Sequence, residues 1–242
     1  MRTQSTGKLL WLLVLKVSEL FGPTIQGEGP SLGKPASFLR LAICNLKCVW
    51  CDSKYTWDWT QFDPRHEIKQ MSPDEVFAEL LRHRTGMLVV TGGEPLLQKE
   101  KLLPILSVVR GTWSWRVEVE TAGTIDPGDL TFFVDQFNVS PKLANSGNEL
   151  KRRLVPEVLT MLCRGRSSIF KFVITDLRDL EEVGSIVSDI GIPPERVYIM
   201  PEGTDVRALK VTSTRVASEV VRRGWNLTTR LHIALWGNRR GV

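Results

Sequence analysis

Three of the four cysteines fall within eight residues, in Cys44-Asn-Leu-Lys-Cys48-Val-Trp-Cys51, spaced C-x3-C-x2-C. The run before them, Ala36-Ser-Phe-Leu-Arg-Leu-Ala-Ile43, is apolar enough to be a buried strand, which places the thiols on the loop at its end. Three thiolates on one short loop suit three corners of an iron–sulfur cube and leave the fourth iron without a protein ligand. A closed zinc site needs a fourth ligand, usually from a second pair. The only nearby candidate is His66, and Cys163 lies far along the chain. The spacing therefore favours an open cluster over zinc, and a disulfide would leave one cysteine over.

Composition restricts the class further. The chain has 242 residues, 42% apolar and 24% charged, which suits a globular α/β protein with a full core. A net charge of +5 with scattered Lys and Arg argues for anionic small molecules rather than nucleic acid. The clustered cysteines argue for a reducing compartment, hence the cytoplasm. The apolar run Leu9–Leu15 is too short to span a bilayer and reads as part of a first strand, 9–21, behind a dispensable tail at 1–13.

Along the chain, apolar strand patterns alternate with helical ones. Strands are predicted at 36–43, 87–90, 116–121, 168–174 and 196–200, with a last one at 227–235. Helices are predicted after Ser72-Pro-Asp-Glu75, a capping box with proline at N1, and at 99–109, 148–164 (kinked or divided at Pro156), 176–190 and 204–223. Phe21-Gly-Pro-Thr-Ile-Gln-Gly-Glu-Gly-Pro30 reads as a loop from Gly22 onward. The alternation predicts a partial, open parallel β/α barrel of about six core strands, as one domain over 1–242. Cys44–Cys51, Thr91–Pro95, Thr121, Ser140–Lys142 and Met200–Gly203 all follow strand ends, where such sheets bind ligands. Trp57 and Trp59 alternate as on a strand face, His66 and His83 read as surface residues, and Cys163 as a buried apolar-like side chain.

The cysteine loop, Trp50, and Thr91-Gly-Gly-Glu-Pro95 together resemble the radical S-adenosylmethionine enzymes. Within that superfamily the chain is similar to the 7-carboxy-7-deazaguanine synthases. This resemblance is carried by Phe21–Pro30, Phe38–Leu41, Cys51-Asp-Ser53, Tyr55–Trp57, Ser140-Pro-Lys142, Met200–Gly203 and His232 to Val242. It implies a 4Fe–4S cluster on Cys44, Cys48 and Cys51, with S-adenosylmethionine on the open iron, cleaved to a 5′-deoxyadenosyl radical. Trp50, Cys51, Asp52, Gly93, Glu94, Ser140, Pro141 and Lys142 match the cofactor-binding positions. Ile25, Gln26, Gly27, Glu28, Arg40, Thr91 and His232 match those gripping a 6-carboxytetrahydropterin. Ser53 stands where the family has a threonine ligand to Mg2+. The resemblance further implies ring contraction with loss of ammonia, a reductant such as a flavodoxin, a homodimer, and neither nucleic acid nor membrane as partner. A glycyl-radical-enzyme activase shares the cluster spacing but leaves the TIQGEG stretch unexplained. A metal-binding or nucleic-acid module would hold zinc.

Overall fold

The computed structural model describes residues 14–165 and 167–242, so the expected tail at 1–13 lies outside the described residues. Among them nine strands form one sheet: β1 (Leu15–Ile25), β2 (Pro35–Leu41), β3 (Lys69–Met71), β4 (Met87–Gly92), β5 (Arg116–Thr121), β6 (Gln136–Val139), β7 (Ser168–Ile174), β8 (Val197–Pro201) and β9 (Asn226–Leu227). Their order is β3-β1-β2-β4-β5-β6-β7-β8-β9. β2 and β4 to β9 run parallel, the two-residue β9 lying beyond the about six core strands expected of an open barrel, and β1 and β3 add an antiparallel edge.

The helices are α1 (Pro64–Glu67), α2 (Pro73–His83), α3 (Lys99–Gly111), α4 (Leu150–Arg153), α5 (Pro156–Arg164), α6 (Asp179–Ile190), α7 (Val206–Arg222) and α8 (Leu231–Trp236). Ser72 starts α2 with both hydrogen bonds of the capping box. Pro156 divides the 148–164 pattern into α4 and α5, as its missing N–H requires. Among the described residues no helix is long and apolar enough to cross a membrane.

Strand periodicity sorts the residues of the barrel by face. Leu39, Leu41, Leu88, Val90, Val117, Val119, Phe137, Val139, Phe170 and Phe172 point outward and are buried in the main core with the helices. The alternate positions, Arg40, Thr91, Glu120, Asn138 and Lys171, line the interior cavity. Below them Phe21, Ala36, Phe38, Met87 and Val89 form a small apolar floor. The barrel is thus apolar outside its strands and polar within.

Four expectations are corrected. The first strand continues through Gly22 and Pro23 to Ile25, pairing Thr24 with Ala36 and Ile25 with Pro35, because a register shift after Phe21 absorbs the two residues. The last strand stops at Leu227. Residues 231–236 are helical, with Ile233 buried and Leu235 exposed, so residues two apart there lie on opposite sides of a helix rather than on one face of a strand. The segment bearing Trp57 and Trp59 is a run of tight turns, with Trp57 N–H donating to Lys54 C=O at 3.0 Å. His83 is not a surface residue: its side chain is 7% exposed and its Nδ1 lies 3.1 Å from Ser37 Oγ. His66 does face solvent, and Cys163 is half-buried against the core.

Candidate active site

The carboxyl ends of the parallel strands surround a cavity of about 250 Å³. Cys44, Cys48 and Cys51 line it together, on the loop leaving β2, with Leu46, Trp50 and Ala122 packed around them. Each sulfur faces an N–H donor. Leu46 N–H donates to Cys44 Sγ at 3.4 Å, Asn148 Nδ2 to Cys48 Sγ at 3.3 Å, and Trp57 Nε1 to Cys51 Sγ at 3.4 Å. Donors aimed at sulfur are what a set of iron-bound thiolates requires. Burial pushes the Cys44 thiol up to about 12, and burial also raises Cys48 although the Lys142 ammonium pulls it back. Thiols in such a place are held ionised by a bound cation. Among the described residues no three His, Cys, Asp or Glu side chains converge on one point as a single ion would demand. Three thiol sulfurs lining one cavity, each with its own N–H donor, form a donor set that fits the 4Fe–4S group.

The glycine pair after β4 fits beside this loop for a steric reason. A Cβ on Gly92 would lie 2.2 Å from Leu41 O, and one on Gly93 2.2 Å from Ile43 O. Gly93 N–H donates to Leu41 C=O and Glu94 N–H to Ile43 C=O, both at 2.9 Å. The motif is therefore stitched to the entrance of the cysteine loop. Glu94 turns away from the cavity and is fully buried. Its oxygens accept from Thr121 Oγ1 and Ala122 N–H at 2.8 Å each and from Leu96 N–H at 3.1 Å, tying the end of β5 to β4. Burial without a cation in contact raises its carboxyl above the usual range. Of the expected site residues, Glu94 and the buried Pro141 do not line the cavity; all the others do.

Ser140 and Lys142 act as a unit, with Lys142 Nζ donating to Ser140 Oγ at 2.8 Å and lying 5.9 Å from the centre of the Trp50 ring. Ser53 is buried, its Oγ 3.6 Å from Cys51 Sγ. Arg40 donates through Nε to Glu19 Oε2 at 2.9 Å. Thr91 Oγ1 and Gln26 Nε2 donate to the two oxygens of Glu120, at 2.8 and 3.2 Å. Glu28 pairs with Lys171 Nζ through one oxygen and with Arg230 Nε, at 3.1 Å, through the other. Burial alone would raise the Glu28 carboxyl, but Lys171 and Arg230 outweigh it and hold it well below the usual carboxylate range. Arg230 also pairs with Asp52, so one guanidinium links the TIQGEG loop to the cysteine loop.

His232 packs on the backbone of Gly27: a Cβ there would meet its Nδ1 at 2.0 Å. Burial lowers its imidazole, which keeps it neutral near pH 7. The same loop closes the open side of the barrel. Leu231 N–H donates to Gly27 C=O at 2.9 Å, Gly29 N–H to Thr228 Oγ1 at 2.9 Å, and Ser31 Oγ to Glu118 Oε1 at 2.5 Å.

Glu19, Glu120, Asn138, Lys171, Arg230 and Arg240 also line the cavity and were not identified from sequence. Some had a signal. Lys171 interrupts an apolar strand, and Glu118 and Glu120 alternate with valines, so a polar barrel interior could have been inferred. Arg230 carried none, and Arg240 lay in the His232–Val242 stretch that carries the resemblance without a role assigned to it, since both depend on where the chain end folds back.

The Radical SAM superfamily model matches residues 40–154. A 7-carboxy-7-deazaguanine synthase of Pyrobaculum aerophilum is 39% identical, over 94% of this chain and 97% of its own length. That of Hyperthermus butylicus is 36% identical over 91% and 92%, and that of Bacillus subtilis 31% over 94% and 98%. In fold the chain is like QueE from Escherichia coli, with a TM-score of 0.70 at 22% identity, over 96% of this chain and all of that one. It is also like Streptococcus suis SuiB, solved bound to S-adenosylmethionine, with a TM-score of 0.55 at 14% identity, over 79% of this chain and 49% of that one.

Proposed function

The chain belongs to the 7-carboxy-7-deazaguanine synthase family, within the radical S-adenosylmethionine superfamily, and from that premise we propose that its cavity contracts 6-carboxy-5,6,7,8-tetrahydropterin to 7-carboxy-7-deazaguanine with release of ammonia. The observation that carries the substrate assignment is Arg40. Its Nε is occupied by Glu19 and its side chain borders the cavity, and among the described residues no hydrogen bond engages its two terminal nitrogens, a fork suited to a carboxylate.

Cys44, Cys48 and Cys51 would hold the cluster. When bound, it and S-adenosylmethionine supply one-electron cleavage of the sulfonium and hydrogen abstraction from the substrate. Gly93, Trp50, Asp52, Ser140 and Lys142 shape the cofactor's berth, with Glu94 and Pro141 supporting it from behind. Ile25, Gln26, Gly27, Glu28 and Thr91 grip the guanine-like edge of the pterin. Glu28 does so as a carboxylate, which accepts hydrogen bonds from that edge, and neutral His232 can donate or accept one. Ser53, which lines the cavity, would offer a hard oxygen to Mg2+. The chain works as one domain in the cytoplasm, as a homodimer supplied with electrons by a flavodoxin-like carrier.

The test is anaerobic reconstitution followed by incubation with the pterin, S-adenosylmethionine, Mg2+ and a reductant. Mass spectrometry is expected to show a product lighter by one ammonia with the S-adenosylmethionine pool unchanged. Consumption of S-adenosylmethionine without that product would overturn the assignment.

A further inference from the structure

Beyond α8 the chain carries Arg240 back to β1, where it meets the group that holds Arg40. Glu19 Oε2 accepts from Arg40 Nε at 2.9 Å and from the Tyr55 hydroxyl at 2.7 Å, and Glu19 Oε1 accepts from Arg240 Nε at 3.0 Å. The Arg240 guanidinium lies 3.6 Å from the centre of the Tyr55 ring and donates through Nη2 to Glu67 Oε2 at 2.8 Å. Glu19 and Arg40 are register partners on β1 and β2, brought opposite one another by the shift between Val17 and Glu19.

We propose that Arg240 is a positioning residue, which acts through Glu19 and Tyr55 to present the terminal nitrogens of Arg40 to the substrate carboxylate. The proposal rests on the reading of Arg40 as that carboxylate's partner. An arginine side chain left to itself has many rotamers, and a carboxylate beside it prefers to take two of its donors rather than one. Glu19 is such a carboxylate, and it would compete with the substrate for the fork of Arg40. With Oε1 engaged by Arg240 and Oε2 shared with Tyr55, Glu19 contacts Arg40 only through Nε. Arg240 thus both fixes Arg40 and keeps Glu19 from occupying the substrate's place. Its aromatic contact and its second partner, Glu67, hold the strap itself in register.

The experiment is a double-mutant cycle on the reconstituted enzyme, with Arg240→Ala, Arg40→Ala and the pair, using carboxytetrahydropterin and tetrahydropterin lacking the carboxylate. Arg240→Ala is expected to raise KM or Kd for the carboxylated pterin by roughly tenfold, the middle of the range for contacting residues. Its kcat, iron content and affinity for the decarboxylated analogue should be near wild type. The double variant should bind no worse than Arg40→Ala, and Arg240→Lys should recover part of the loss because an ammonium can still meet Glu19. Unchanged KM in Arg240→Ala, additive losses, or equal loss for the decarboxylated analogue would reject the positioning role alone. Wild-type affinity in Arg40→Ala would instead overturn the reading of Arg40, and the positioning role with it.

Discussion

Gly93 leaves no room for a side chain beside Cys44: a Cβ on it would stand 2.2 Å from Ile43 O and 2.9 Å from Cys44 N. Both neighbours are backbone, so neither can rotate away. Gly93→Ala is therefore expected to push the cysteine loop off its strand and lower iron and sulfide per chain, with far-ultraviolet circular dichroism unchanged. Full cluster loading in that variant would mean that the glycine serves only the cofactor's approach.

Asn148 gives Cys48 its N–H donor, from a segment one hundred residues further on. Hydrogen bonds to sulfur stabilise the reduced, more negative cluster. Asn148→Ala should keep three cysteine ligands and bind iron, but with a lower reduction potential. A potentiometric titration followed by electron paramagnetic resonance reads the shift, and an unchanged midpoint would exclude the role.

Lys171 and Glu28 form a buried pair inside the barrel. Removing the cation alone leaves the carboxylate to Arg230, and breaking a buried pair from one side costs about 3–5 kcal/mol. Lys171→Met should lose that much in denaturant unfolding, and Lys171→Met with Glu28→Gln should recover much of it. Equal destabilisation by the single and double changes would show that packing rather than charge is at stake.

The same glutamate sets part of the acid limit. Its carboxyl is more acidic in the folded chain than in the unfolded one, where it is about 4.3. Its stabilising contribution is thus complete above that value and is lost progressively as the pH falls below it. Glu28→Gln should flatten the fall of the unfolding midpoint between about pH 5 and about pH 3. A profile parallel to wild type would assign the acid limit to other groups.

Much of the fold was legible because it is written in local pattern. The capping box at Ser72, the break at Pro156, the apolar runs of β4 and β7 and the alternation of β5 each state their element without help from elsewhere. The cysteine triad and the glycine pair were legible for a similar reason, since each is contiguous. What could not be read was whatever depends on two distant segments meeting. The last strand was misplaced because Leu231, Ile233 and Leu235 alternate over too few residues to distinguish one turn of helix from a strand. Glu94, expected at the cofactor, faces the end of β5, a contact that no spacing encodes. His83 looked solvent-facing at the end of a polar helix, but the partner that buries it, Ser37, lies on β2.

The gap between the first and last strands is walled by a stretch that also lines the cavity. Gly27, Gly29 and Ser31 seal the open flank through α8, β9 and β5, while Gln26 and Glu28 between them meet the interior. Scaffold and cavity lining are therefore one piece of chain. A substitution in this segment that alters the cavity also disturbs the hydrogen bonds that close this side of the barrel.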